Sequence, residues 1–149
     1  MEAQTERQLG IDLFNSTWTL LEKPDRSVDD DDELVHRVHA SAYHWRQVGT
    51  AAHRARSEWL CSRVYAVLGR VEPAQHHARR CLEIVDAHPE EMEDWDLPAA
   101  LEAVARAHWV AGDLDEAREY AERARELAGA IADEHDRVHI EADLRELGV

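Results

Sequence analysis

Histidine, tyrosine and carboxylate side chains that could do chemistry are concentrated in the first half of the chain. His39 shares a predicted helical stripe with Tyr43, and Glu58 lies on a stripe of the next helix that should face inward. A partly buried carboxylate needs a partner, which a histidine from His39, His44 or His77 could supply across a hairpin. A carboxylate–imidazole pair of this kind can transfer protons or orient a metal ligand.

These residues support one hypothesis for function, a small enzyme or a small-molecule or metal-binding sensor with a pocket between the first two helical hairpins. Polar and aromatic groups are unfavourable to bury where only packing is needed. The pocket would consist of Asn15, Trp18, His39, Tyr43, His44, Glu58, Arg63 and His77. HExxH, GxSxG, a Gly-rich phosphate loop and a nucleophilic cysteine signature are all absent. The sequence therefore favours binding over catalysis, and we assign no catalytic residue, metal ligand or cofactor from it.

The charge of the chain excludes some classes of partner. Its 149 residues carry 17 Lys plus Arg against 32 Asp plus Glu, a formal net charge of −15. Binding to phosphates needs a basic surface, so we expect no nucleic-acid partner. With no apolar run long enough for a membrane span and no signal-peptide pattern, we expect a cytoplasmic protein without a membrane partner. Sixteen of the 17 cations are arginines, as expected for a GC-rich bacterial genome.

The two cysteines fit a reduced interior. Cys61 and Cys81 lie 20 residues apart without a CxxC pair. We expect both to be buried thiols that pack as small apolar residues.

The elements that must position these residues are predicted to be helices nearly throughout. Gly and Pro total only ten, Ala, Arg, Glu and Leu are frequent, and no run alternates like a strand. Helices are predicted at residues 2–22, 28–48, 51–68, 72–87, 97–111, 114–128 and 133–147. Only residues 88–96 form a longer linker, so short turns should join the helices into antiparallel hairpins of a single all-α domain.

Two segments repeat each other at an offset of 43 residues. Gly69 matches Gly112, and Ala74 matches Ala117. Small residues are needed where the two helices of a hairpin cross closely, and glycine permits the tight turn. The other matched pairs are Cys61 with Val104, Ser62 with Ala105, Tyr65 with His108, Ala78 with Ala121 and Cys81 with Ala124.

This pattern resembles the tetratricopeptide repeat. Residues 112–117 (GDLDEA) resemble the turn of that family, and Tyr120, Ala121 and Ala124 resemble its second helix. The chain departs from the family where Glu58 replaces the usual Trp or Leu and where His108 replaces the usual Tyr. The resemblance covers residues 55–129.

The resemblance implies a fold and a division of the chain. We expect a right-handed α-α superhelix of about three antiparallel hairpins with a C-terminal capping helix. The units would be a divergent hairpin at residues 1–50, repeats at 51–87 and 97–129, and the cap at 130–149. The family is chiefly a scaffold for binding peptides and proteins.

The resemblance also implies a binding groove. In this family the first helix of each hairpin lines the concave face through side chains three or four positions apart. Guanidinium groups bind carboxylates in a fork-like geometry, and indoles supply flat apolar contact. Carried to this chain, the groove residues are Arg56, Trp59, Arg63, Glu102, Arg106 and Trp109. The alternative is that the arginines pair with Glu58, Glu102 or the acidic linker and that the tryptophans are core residues.

The function that these features favour is a scaffold for a protein or peptide partner with acidic groups. The enzyme or sensor hypothesis is the alternative. A third hypothesis is an oligomerisation module, in which tryptophans and the Ala-rich fifth helix form a homodimer surface.

Overall fold

A computed structural model describes residues 1–149 as seven α-helices and one short 3₁₀ helix, with no strand. The helices are α1 (Ala3–Leu21), α2 (Val28–Val48), α3 (Ala51–Val67), α4 (Val71–Ala87), α5 (Asp96–Val110), α6 (Leu114–Ala128) and α7 (Glu134–Leu147), and the 3₁₀ helix is Pro89–Glu91. All seven predicted helices are present, each within one residue of its predicted ends, and the all-α prediction is confirmed. None of these helices combines the length and the apolar character that a membrane span requires.

Short-range side-chain contacts fix where α2 and α7 begin. The Ser27 hydroxyl accepts a hydrogen bond from the Asp30 amide, and the Asp30 carboxylate accepts one from the Ser27 amide. A hydrogen bond from Lys23 at 2.7 Å, with the one from Ser27, lowers the pKa of Asp30. Asp133 caps α7 by accepting from the Asp136 amide at 2.9 Å. The residues just before each helix therefore set its start.

The two repeated units close in the same way. Gly69 and Gly112 have positive φ angles of 73° and 82°, which favour glycine. In both turns the residue after the glycine donates its amide to a carbonyl five residues earlier. These bonds are Arg70 to Tyr65 at 2.8 Å and Asp113 to His108 at 2.9 Å. Ala74 and Ala117, five residues after each glycine, are completely buried. Gly129 also lies at a turn, as predicted, but its φ is −61°.

Close packing also shapes the first hairpin. A Cβ added at Gly10 would lie 2.9 Å from the Trp45 indole, so glycine lets α1 approach α2. The buried Ser41 hydroxyl donates to the Gly10 carbonyl at 2.8 Å across this contact. The hairpin therefore has a close crossing of its own, although its sequence lacks the repeat pattern.

Neighbouring helices pack in pairs, α1 with α2, α3 with α4 and α5 with α6. Trp59 of α3 contacts all four hydrophobic clusters of the core. Helix α7 packs on α5 and α6, where Ile140, Leu144 and Leu147 lie against the alanine-rich faces of both helices. This position of α7 brings the end of the chain beside α3 and α5, where the binding groove was predicted.

Candidate functional site

A cavity of about 400 Å³ opens between α1, α3, α4, α5 and α7. Its wall is mainly apolar, and three of the five tryptophans, Trp18, Trp59 and Trp95, contribute to it. The remaining apolar wall consists of Phe14, Ala55, Cys81, Ala99 and Ile140. Pockets of about 300–1,000 Å³ with aromatic walls and few polar groups are typical of ligand sites. We refer to this cavity as the tryptophan pocket.

The polar edge of the tryptophan pocket is held by an ion pair. Arg56 donates two hydrogen bonds to Asp96, at 3.0 Å and 2.8 Å. The Arg56 guanidinium also lies 4.4 Å from the centre of the Trp95 ring, a cation–π contact. Glu22 and His139 are exposed at the rim, and neither has an ion-pair partner. The only acidic group free to meet a ligand at this edge is therefore Glu22.

Beside the pocket lies a buried ionic cluster that joins three helices. Glu102 Oε1 accepts from Arg63 at 3.0 Å and from Arg106 at 2.9 Å. Asp143 and Glu146 of α7 complete it, at 3.3 Å from Arg63 and 3.2 Å from Arg106. Burial lowers the pKa of the Arg106 guanidinium, but pairing with Glu102 and Glu146 more than offsets this and the net shift is upward. Both arginines are paired with carboxylates of the same chain.

Arg63 also connects the ionic cluster with the tryptophan pocket. Its guanidinium carbon lies 5.1 Å from the ring centre of Trp59 and 5.8 Å from that of Trp18. The two indoles are themselves 5.7 Å apart. Arg63 therefore holds two walls of the pocket in place by cation–π contacts.

The arginines of the predicted groove all have ion-pair partners within the chain. Arg63 and Arg106 are only 8% and 5% exposed. All three predicted arginines pair within the chain, Arg56 with Asp96 of the acidic linker and the other two with Glu102, which is the arrangement that the alternative predicted. The periodicity placed these side chains on one face, but it could not show that α7 covers part of that face.

The two tryptophans of the predicted groove, Trp59 and Trp109, lie in different places. Trp59 is part of the tryptophan pocket, whereas Trp109 is 36% exposed and lies outside it. Sequence reasoning missed Trp95 and His139, since Trp95 falls in the irregular linker and His139 in the predicted cap. Helical periodicity does not indicate that Trp95 or His139 lies at this cavity.

A second candidate site lies between α2, α3 and α4, and we call it the histidine cluster. Glu58 Oε2 lies 2.5 Å from His77 Nδ1, which is the carboxylate–imidazole pair that the sequence predicted. His39 Nε2 lies 2.8 Å from the Tyr65 hydroxyl, and His39 Nδ1 lies 4.0 Å from Cys61 Sγ. The Tyr65 and His77 rings stack with centres 5.6 Å apart. Three helices thus supply five polar or aromatic groups to one place.

Burial shifts the pKa values of three groups of the histidine cluster, His39, Cys61 and Tyr65. Partial burial lowers the pKa of His39, and the neighbouring His77 lowers it further. Burial also raises the pKa of the Cys61 thiol, with a smaller effect from the Glu58 charge, and burial raises the pKa of Tyr65. Without a metal ion Cys61 is therefore a protonated thiol and not an activated nucleophile.

The structure divides the eight residues of the predicted enzyme or sensor pocket. His39, Glu58 and His77 come together in the histidine cluster. The others lie elsewhere: Asn15 in a separate cavity of about 170 Å³, Trp18 in the tryptophan pocket, Arg63 in the ionic cluster, Tyr43 60% exposed, and His44 beside Glu6 at 3.3 Å. The predicted set therefore does not form one pocket, because helical spacing gives the face of a residue but not its neighbours on other helices.

The aromatic pair of the histidine cluster follows from the repeat. In the second unit His108 stacks on Tyr120 with ring centres 5.8 Å apart, at the positions that match Tyr65 and His77. The two residue types are exchanged between the units. This stack is therefore a shared structural feature, and the carboxylate and thiol beside it are particular to the first unit.

Comparison of the chain with protein-family models, with curated proteins and with solved structures finds no match, so the tetratricopeptide assignment stays a resemblance and function must be argued from the two sites.

Proposed function

We propose that this protein is a helical-repeat scaffold of the tetratricopeptide type that binds a partner peptide or protein segment through an apolar side chain seated in the tryptophan pocket. In this proposal the hairpins form a right-handed superhelix, and the pocket lies on its concave face. The observation that carries the proposal is the cavity of about 400 Å³ with three tryptophans in its wall.

An apolar anchor suits the wall of this pocket. Burying one large apolar side chain stabilises a complex by about 1.5–3 kcal/mol. Residues that dominate binding energy are typically aromatic or apolar groups in well-packed, desolvated pockets. Trp18, Trp59 and Trp95 supply aromatic surface that such a group can contact.

The charge of the partner follows from what remains unpaired. Arg56, Arg63 and Arg106 are already neutralised by carboxylates of this chain, so they do not favour the acidic partner predicted from the sequence. Glu22 at the rim has no partner, and the net charge of −15 attracts cations at long range. The segment should therefore carry a basic residue beside its apolar anchor.

A segment that crosses the surface can reach the pocket. Glu22 and His139 are both exposed, and they mark the mouth between α1 and α7. A side chain can enter there while the backbone of the partner stays outside. Peptides displayed at random and selected against the purified protein should share an aromatic or branched apolar residue with a nearby Lys or Arg.

Substitutions on α5 test whether selected peptides occupy the pocket. Ala99→Leu adds bulk to the pocket wall, and it should weaken the selected peptides at least about tenfold, which is 1.4 kcal/mol in binding free energy. Trp109→Ala is the matched control, because this tryptophan lies on α5 outside the pocket, and affinity should not change. Isothermal titration calorimetry measures both. If no peptide is selected, or if the peptides bind the Ala99→Leu protein as well as the original, the proposal is wrong.

A further inference from the structure

The histidine cluster places three metal-ligating atoms close together. One nitrogen from each of His39 and His77 and the Cys61 sulfur lie within 4.8 Å of one another. In a tetrahedral zinc site, metal–ligand distances of about 2.0–2.3 Å place ligand atoms about 3.3–3.6 Å apart. The observed 4.0 Å between Cys61 Sγ and His39 Nδ1 is close to that spacing.

Two neighbouring groups orient the imidazoles in the way that metal sites require. Glu58 occupies Nδ1 of His77, which leaves Nε2 of that ring for a metal. The Tyr65 hydroxyl occupies Nε2 of His39, which leaves Nδ1 on the side of Cys61. Metal-ligating histidines usually bond their other nitrogen to a carboxylate or another polar group, because this fixes the tautomer and the ring orientation.

The repeat provides a comparison within the chain. At the positions that match Glu58 and Cys61, the second unit has Leu101 and Val104, which are 0% and 3% exposed. Apolar residues thus satisfy the packing of this hairpin type. The packing of this hairpin type therefore does not require a carboxylate or a thiol at these positions, and in the first unit both lie beside the imidazoles of His39 and His77.

We propose that His39, Cys61 and His77 bind a divalent transition metal, best suited to Zn²⁺, with Glu58 and Tyr65 as positioning residues. Thiolate and imidazole are the ligands that zinc prefers, and Cys61 loses its proton to solvent when the metal binds. Three protein ligands leave a fourth position for water or an exogenous ligand. His39 is exposed, so an ion can enter from solvent. The proposal does not depend on peptide binding, because Cys61 and Trp59 point to different sides of α3.

Cobalt titration of the metal-free protein tests the site. Co²⁺ replaces Zn²⁺ in such sites, and its bond to a thiolate gives a charge-transfer absorption in the near ultraviolet. We expect one equivalent of Co²⁺ per chain with this absorption, and Zn²⁺ should abolish it by displacement. Absence of stoichiometric cobalt binding by the folded wild-type protein would overturn the proposal without any variant.

Matched variants locate the metal. Cys61→Ser should remove the charge-transfer absorption, whereas Cys81→Ser, at the other buried thiol, should keep it. His77→Ala should lose cobalt, whereas His76→Ala, its exposed neighbour, should bind normally. Glu58→Gln should weaken cobalt affinity about 10- to 100-fold. Circular dichroism checks that each variant is folded. An absorption that persists in Cys61→Ser, or cobalt lost from His76→Ala and kept by His77→Ala, contradicts the assignment.

Discussion

At the residue scale, Glu102 has an unusual charge environment. One of its oxygens accepts hydrogen bonds from two buried arginines, and the side chain is only 1% exposed. The other oxygen, Oε2, has no hydrogen-bond partner in the protein. The stability of a buried cluster of this kind is sensitive to substitution, because removing one charge leaves an opposite charge without a partner. Arg63 of α3 and Arg106 of α5 therefore share one buried carboxylate.

We expect Glu102→Gln to destabilise the protein by about 3–5 kcal/mol, since it leaves Arg63 and Arg106 without their shared anion in a buried place. Urea unfolding followed by circular dichroism measures the change in the free energy of unfolding. Glu119→Gln on exposed α6 surface is the control and should change it little. A loss below about 1 kcal/mol would mean that α7 carboxylates alone neutralise the arginines.

His53 should make the free energy of unfolding depend on pH. Its ring stacks on Trp45 with centres 4.2 Å apart, and its Nδ1 accepts a hydrogen bond from the Thr50 amide. Burial lowers the pKa of His53 from its ordinary value of 6.5, and the charges of Arg7 and Arg56 add to the shift. His53 therefore binds a proton less readily in the folded protein than in the unfolded chain. Stability is unaffected well above the ordinary pKa and falls as the pH drops through it.

The free energy of unfolding should therefore decrease between about pH 7.5 and about pH 5.5. In His53→Gln this decrease should be smaller, because the variant has no imidazole at this place to protonate in the unfolded state. Denaturant titrations at several pH values measure both slopes. Equal slopes in the two proteins would show that His53 does not contribute.

At the element scale, two turn glycines allow a matched comparison. Gly69 has a φ of +73° with open space around its Cβ position, so Gly69→Ala should lose about 1–2 kcal/mol through backbone strain alone. Gly129 has a φ of −61°, and its added Cβ would meet carbonyl oxygens no closer than 3.6 Å. Gly129→Ala should stabilise by about 0.4–1 kcal/mol. Thermal unfolding measures both, and shifts of the same sign would contradict the prediction.

The elements themselves could be predicted because their signals are local. Ser27 and Asp30 begin α2, and Gly69 and Gly112 end their hairpin helices, all through contacts within a few residues. The repeat offset was also readable, since it needs only residue types at fixed spacing. The position of α7 could not be predicted in this way, because its own sequence does not indicate which faces of α5 and α6 it covers.

At the scale of the whole molecule, α7 closes the structure. Ile140 forms part of the pocket wall and packs with Leu144 and Leu147 in the core. Asp143 and Glu146 neutralise two arginines on other helices. The same helix thus completes the tryptophan pocket and the ionic cluster.

A chain that ends at residue 132 should lose several kcal/mol of stability, since each of the three apolar side chains of α7 stabilises by about 1.5–3 kcal/mol. It should also fail to bind peptides selected for the tryptophan pocket. Unfolding and calorimetric titration measure the two effects. Val138→Ala, on the exposed face of α7, is the control and should change neither. A shortened chain that keeps both properties would show that α7 is dispensable for the pocket.

The seven helices, the repeat and a histidine as a possible partner for Glu58 could be predicted from the sequence, because helical hydrogen bonding and side-chain spacing depend on near neighbours. The group that each arginine contacts depends instead on how distant helices pack together. Arg63 and Asp143 are 80 residues apart in the chain, yet they form an ion pair. The tertiary structure also brought His39 and Cys61 to His77 and enclosed the tryptophan pocket. A periodic pattern specifies the direction of a side chain on its own helix, whereas the surface it meets depends on how distant helices pack.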